Sequence, residues 1–330
     1  MLPLLDASNP YVVARRLKIR HTQFKKIYQC IGAIHRDRLL GLDARSLIVS
    51  GQTGAGKSWL INSYIEDCGR KRRSTPTGDI VPILSVEVPG GNITPRGLGL
   101  SILNALGDPG FDNGTQTTVT VRLADLLKKC HVEIVFLDDF HHLVNRVNDS
   151  VLLDVADWLK GIIKHTQIPF VVVGITGRIE RVVKKDEELS RMFAKRELLT
   201  PFAWSRAMRG VEFEAFVKIF FKEVNLTPDV PFGYMELMAR LYYATDGFVA
   251  NISSLLCGAV EIVSDDHQTS ITLPLLIESF ETNLKEHLGK INPFLVSPSE
   301  MFIPPTPVGL NESGSIRKRK PKPSDILSGK

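Results

Sequence analysis

Short, nearly continuous apolar runs alternate along most of the chain with longer stretches whose apolar positions recur every three or four residues. The short runs are Ser46 to Ser50, Ile80 to Val88, Val132 to Leu137, Pro169 to Ile175 and, with more polar positions, Arg196 to Thr200. Strands covered on both faces read this way, because neither side can be polar. Helical spacing fills the intervals at Trp59 to Cys68, Pro95 to Leu106, Val119 to Cys130, Ser150 to His165 and Arg206 to Val224. The alternation predicts an α/β fold, a parallel five-stranded sheet with helices on both faces. After residue 225 the β-rich runs stop. Pro231 to Tyr243, Phe248 to Val263 and Leu273 to Leu288 then predict three helices, a small C-terminal helical lid on the core. The expected division is a basic helical segment over 1–45, a core over 46–225, a lid over 226–290 and a Pro-rich basic tail over 291–330.

Composition narrows the class. The chain has 330 residues, 43% of them hydrophobic, enough to bury a sizeable core and to exclude wholesale disorder. Its 41 Lys/Arg against 36 Asp/Glu is a small excess for this length. The excess sits at the ends, with nine Lys/Arg and three Asp/Glu in residues 1–45 and six against one in 317–330. Such ends either hold phosphate backbones or serve as solvated arms. The six prolines beyond Pro293 and the run Arg317-Lys318-Arg319-Lys320 predict a tail that is disordered when unbound. Cys30, Cys68, Cys130 and Cys257 form no CxxC pair, and Met1 to Asp6 has no positive region followed by an apolar one. A reduced, cytoplasmic chain without a secretory leader is expected. The longest apolar stretch, Ile168 to Ile175, is far short of the roughly 20 residues of a membrane helix, so no membrane partner is expected.

The strongest chemical signal is Gly51-Gln52-Thr53-Gly54-Ala55-Gly56-Lys57-Ser58, which fits GxxxxGK[ST] and lies between a buried strand and a helix. Chance would give this string in on the order of one chain in a hundred of this length, before the strand–loop–helix context is required. Its glycines let backbone amides face a phosphate at a helix N-terminus, Lys57 reaches the β/γ oxygens of ATP and the Ser58 hydroxyl ligates Mg²⁺. Asp138 and Asp139 end the third strand, where Asp138 can hold the Mg²⁺ water shell and Asp139 can orient the attacking water. Without the phosphate loop the same pair would read as a cap of the next turn. Thr176, at the end of the fourth strand, is either a γ-phosphate sensor or an ordinary turn residue. Arg191 follows that strand and is either a finger for a neighbouring subunit's nucleotide or a solvated charge in the run Lys184 to Arg196. His141 and His142 lack further spaced ligands and read as packing and hydrogen-bonding groups after the strand, leaving Mg²⁺ as the one metal. Phe213, Phe216, Phe220 and Phe221 recur at helical spacing and read as core.

In this order the motifs resemble the AAA+ ATPases, and within them the TnsC/TniB family of transposition regulators, over about Ile19 to Leu288. The less generic marks are Ile19-Arg20-His21-Thr22-Gln23-Phe24, Val88 to Arg96, Leu137-Asp138-Asp139-Phe140-His141-His142-Leu143, Val172 to Thr176 and Asp186 to Arg191. The resemblance implies binding of ATP and Mg²⁺ and assembly as a homo-oligomeric ring or filament around duplex DNA. It also implies that the assembly links a target selector of the TniQ type to the transposase. It places the phosphate loop at Gly51 to Ser58, the acids at Asp138 and Asp139, sensor 1 at Thr176, the finger at Arg191 and the DNA contacts at Arg96 and Thr117 or Thr118. Arg96 and the Thr115 to Thr120 run offer donors to phosphate oxygens, which predicts sequence-independent, salt-sensitive binding, or else they merely cap helices.

Two departures from the family pattern bear on turnover. Asp139 stands where Glu is common, and Asn251, in Asp246-Gly247-Phe248-Val249-Ala250-Asn251, stands where a sensor 2 Arg would contact the nucleotide. Slow hydrolysis that dismantles an ATP-driven assembly is therefore expected. Two other readings share the nucleotide motifs: a replication-type helicase loader or initiator, and a nucleotide-gated scaffold without catalysis. An initiator would carry a folded DNA-reading domain, for which the residues after the lid are too few and too Pro-rich. Ile326 and Leu327 in the tail offer a hook for the transposase or, with the adjacent cations, added nonspecific DNA affinity.

Overall fold

Helices α1 (Pro10–Arg16) and α2 (Thr22–Leu39) lead into strand β1 (Leu47–Gly51), helix α3 (Lys57–Asp67) and a hairpin of β2 (Arg73–Thr75) and β3 (Gly78–Ile80). There follow β4 (Ile83–Glu87), α4 (Pro95–Leu106), α5 (Gln116–Lys129), β5 (Ile134–Asp138), a 3₁₀ turn (Phe140–Val144), α6 (Asp149–Thr166) and β6 (Phe170–Gly174). Next come α7 (Ile179–Val183), α8 (Glu187–Met192), β7 (Lys195–Leu199) and α9 (Val211–Val224). The chain continues through β8 (Thr227–Asp229), α10 (Tyr234–Thr245), α11 (Val249–Asp265), β9 (Ser270–Thr272), α12 (Leu273–Asn283) and α13 (Lys285–Leu288). This computed structural model describes residues 6, 8–76, 78–90, 94–144, 149–184, 186–204, 210–265 and 269–301.

The parallel sheet has the order β4-β5-β6-β1-β7. Because successive side chains point to opposite faces, the inner strands β1, β5 and β6 feed two cores. Ile48, Val135, Leu137, Phe170 and Val172 pack under α4, α5 and α6, while Leu47, Val49, Ile134, Phe136, Val171 and Val173 pack under α2 and α3. Each such side chain contributes about 1.5–3 kcal/mol by leaving water. A third core, in the lid, joins α9 to α12. The basic segment 1–45 divides between these cores: α1 packs on α9 and α11, whereas α2 packs on α3, β1 and β7.

Four expectations are corrected. The run Ile80 to Val88 is not one strand, since Ile80 turns back to pair with Arg73 and only Ile83–Glu87 joins the sheet. Pro82, which has no N–H to give a ladder, divides the two. Strands do not stop at 225, for β8 and β9 pair in parallel through Thr227↔Ser270 and Asp229↔Thr272. Three-residue segments are too short to leave a period in the sequence. The third lid helix breaks at Leu284 into α12 and α13. The start of the tail is not disordered: Phe294 is buried in the lid core, and the Asn292 amide donates to Ile277 O (3.2 Å). Residues 302–330, with the basic run and Ile326 and Leu327, lie outside the described residues, as does the start of the helix expected from Arg206. Among the described residues, no single helix is long and apolar enough to cross a membrane.

Candidate nucleotide site

Strand register brings the expected residues to one end of the sheet. Ser50 pairs with Gly174 and Leu137 with Val172, so the C-terminal ends of β1, β6 and β5 lie side by side. The phosphate loop leaves β1, Asp138 and Asp139 leave β5, and Thr176 leaves β6. Gly54 and Gly56 sit at φ +81° and +97°, a region side chains resist, and so the loop can wrap with its amides inward. Lys57 begins α3, buried, and its ammonium donates to Gly51 O (3.1 Å) and Gln52 O (2.9 Å). Burial pushes Lys57 below the ordinary lysine range, opposed by Asp138 and then Asp139. Both acids thus act on the buried cation.

Asp138 accepts a hydrogen bond from Asp139 N (2.8 Å), and Asp139 itself is held at φ +53°. A non-glycine residue in that region costs about 1–3 kcal/mol, which the surrounding packing must offset. Thr176 Oγ1 and His141 Nδ1 are buried with no hydrogen-bond partner among the described residues. Each such orphan costs about 1–3 kcal/mol, so two at the mouth of the phosphate loop suit a site completed by a polar ligand. The donors for a metal here are the exposed Ser58 hydroxyl and the Asp138 carboxylate; no cluster of three His, Cys, Asp or Glu stands among the described residues. That sparse oxygen set fits Mg²⁺, which keeps waters and binds through one or two protein oxygens plus phosphates.

Beside the loop lies a cavity of about 230 Å³ lined by Ile19, His21, Phe24, Trp59, Val249 and Ala250, with Ala55 and Gly56 at its edge. Its apolar walls suit a purine base. Sequence reasoning missed it because its walls come from the N-terminal segment, α3 and the lid, which only folding unites. The lid closes directly on the loop, for Ala250 N donates to Gly54 O (3.1 Å). Asn251 turns its amide to Thr245 O (3.1 Å), within the lid's own α10–α11 turn.

Arg191 lies at the opposite end of the sheet. It closes α8 just before β7, whose Lys195 pairs with Leu47 at the start of β1, and Ser46 N donates to the adjacent Met192 O (3.1 Å). The five residues of β1 put roughly 15 Å between that edge and the phosphate loop, at 3.3 Å per residue. Its side chain is 74% exposed and paired with Glu187 on the same helix. Arg96 and the Thr115 to Thr118 turn come together on a third surface: the Arg96 guanidinium donates to Asp112 O and Gly114 O (both 2.9 Å), and Thr115 caps α5 through Thr118 N (3.3 Å). Thr117 stands exposed in that first turn.

The sequence profile of the family described as Bacterial TniB protein matches residues 12–203. None of the curated proteins matches the chain. Among solved structures it is similar to the ORC1 protein of Aeropyrum pernix in complex with DNA, at 15% identity and a TM-score of 0.58, over 83% of this chain and 70% of that one. The ORC2 protein of Aeropyrum pernix, described as ADPNP-ADP complexes, has 14% identity and a TM-score of 0.58 over 83% and 69%. Cdc6p from Pyrobaculum aerophilum has 13% identity and a TM-score of 0.57 over 85% and 72%. At these identities the likeness is one of fold: the P-loop AAA+ core with its helical lid, as the motif order predicts.

Proposed function

The chain belongs to the TniB family, and from that premise we propose that it is an ATP-dependent regulator of transposition. It assembles on target duplex DNA and links a target selector of the TniQ type to the transposase. ATP bound between subunits holds the assembly together, and slow hydrolysis releases it. The observation that carries this reading is the placement of Arg191, exposed at the sheet end remote from its own phosphate loop. A cation there can serve a triphosphate only in a neighbour.

In this reading the amides of Gly51 to Ser58 and the Lys57 ammonium hold the β- and γ-phosphates, and Thr176 Oγ1 donates to the γ-phosphate. Ser58 and Asp138 hold Mg²⁺, which when bound offsets the charge of the phosphate oxygens. Asp139 accepts a hydrogen bond from the water that attacks the γ-phosphorus. The water oxygen bonds to phosphorus, the bond to the β,γ-bridging oxygen breaks with its electron pair leaving on ADP, and the water proton passes through Asp139 to the phosphate. Asp139 is shorter than Glu by one carbon–carbon bond, roughly 1.5 Å, and Asn251 brings no charge, which together support slow turnover.

Two measurements test the proposal. Electron microscopy with a non-hydrolysable ATP analogue and long duplex should find closed or helical assemblies on DNA, and a monomer under those conditions would overturn it. Phosphate release should exceed that of Asp138→Ala; equality would favour the scaffold reading instead. For the DNA surface, Arg96→Ala should weaken binding to all sequences alike and reduce the slope of log affinity against log salt by about 0.9, the share of one phosphate contact. An unchanged slope would assign Arg96 only to holding the loop at 112–114.

A further inference from the structure

We infer that His141 is a positioning residue for hydrolysis, its Nδ1–H orienting the Asp139 carboxylate toward the attacking water. The inference rests on the ATPase reading above and assigns a specific part to a side chain whose spacing suggested packing and hydrogen bonding after the strand.

The geometry is specific. His141 is 8% exposed, and its Nδ1 meets no hydrogen-bond partner among the described residues. That atom stands 3.7 Å from Asp139 Oδ1, just beyond a hydrogen bond, so a small rotation of either side chain closes the gap. A turn from His142 N to Asp139 O (2.9 Å) fixes the backbone between them, and the His142 ring lies 4.4 Å from that of His141. On the other side is Gly174, at the end of β6, where a Cβ would fall 3.0 Å from His141 N and 3.3 Å from its Nδ1. A Cβ there would require these neighbours to give by a few tenths of an ångström.

The charge balance agrees with a donor role. Burial, then the neighbouring His142, push His141 below the ordinary histidine range against the opposing pull of Asp139, while Arg178 and Lys57 push it lower still. The downward push favours the uncharged ring, and the Asp139 carboxylate stands 3.7 Å from Nδ1. A short acid held at φ +53° gains from a fixed donor what it lacks in reach, because one oxygen bonded to His141 leaves the other directed at water. His141 keeps its own proton throughout the step; it sets the orientation of the group that accepts the water's.

The test uses the full chain on duplex DNA, with steady-state ATP turnover and binding of a fluorescent ATP analogue measured in parallel. His141→Ala should lower kcat by about 10- to 100-fold, the usual effect of removing a partner that orients a functional ligand, with nucleotide affinity within about twofold. His141→Asn, whose amide nitrogen reaches the place of Nδ1, should restore kcat to within a few fold of wild type. Wild-type kcat in His141→Ala would overturn the inference, as would Asn performing no better than Ala. Should His141→Ala fail to fold, Gly174→Ala, which pushes the ring by tenths of an ångström, should still lower kcat without loss of nucleotide binding; an unchanged kcat overturns the inference. Failure of the ATPase reading looks different: wild type itself would then release no more phosphate than Asp138→Ala.

Discussion

Arg191→Ala is expected to lower ATP turnover on DNA by roughly 10³- to 10⁵-fold, the worth of an arginine finger supplied in trans, with ATP affinity of the isolated subunit unchanged. The reason is the placement of Arg191 beside the start of β1 and β7, with the phosphate loop at the other end of those strands. Its guanidinium is exposed and paired with Glu187 four residues away, an ion pair of little strength that a neighbour's phosphates would displace readily. Mixing supplies the decisive control. Lys57→Ala and Arg191→Ala should each be inactive alone. Their equimolar mixture should regain roughly a quarter of wild-type activity, because random pairing around a homo-oligomer supplies an intact Lys57 facing an intact Arg191 at about one interface in four. A mixture as inactive as its parts would place the Arg191 requirement within its own subunit or outside catalysis.

Gly247→Ala is expected to destabilise the protein by about 2–4 kcal/mol, the combined cost of a left-handed alanine and a close backbone collision. Gly247 sits at φ +70° in the turn between α10 and α11, and a Cβ there would collide with Phe202 O and approach a Tyr242 ring carbon at 2.9 Å. This turn is where the lid is attached. Phe202 N donates to Gly247 O (2.9 Å), Tyr242 Oη donates to Phe202 O (3.2 Å), and three residues on Ala250 N donates to the phosphate loop. Thermal unfolding should therefore show a drop in Tm of several degrees, and nucleotide affinity of the folded fraction should fall because the lid no longer seats on Gly54. A Tm within a degree of wild type would mean that the turn relaxes and the lid is held by its apolar contacts alone.

The parallel core was readable because strands buried on both faces must be apolar at every position, as Leu47 to Val49 and Phe170 to Val173 are. The phosphate loop was readable because its glycines and Lys57 fall within one run of eight residues. Shorter features left no such trace. The β8–β9 pair has three residues a side, and the Pro82 break showed only as one proline inside an apolar run. His141 was legible as a residue but not as a partner of Asp139, since its burial depends on how closely Gly174 lets another strand approach. Asn251 was singled out as a departure from Arg, and the acceptor of its amide, Thr245 O, was set by the turn.

By itself, then, the order of residues determined the layers, the sheet and the phosphate-loop motif, because hydrophobic period and glycine chemistry act over neighbouring positions. Only the tertiary structure decided which distant groups share a space: Lys57 with Asp138 and Asp139, His141 against Gly174, the lid against Gly54, and Arg191 kept away from its own loop. Strand order and register fix those meetings, and both depend on contacts between segments 35 to 200 residues apart, roughly the span from β5 to β6 and from Gly54 to Ala250.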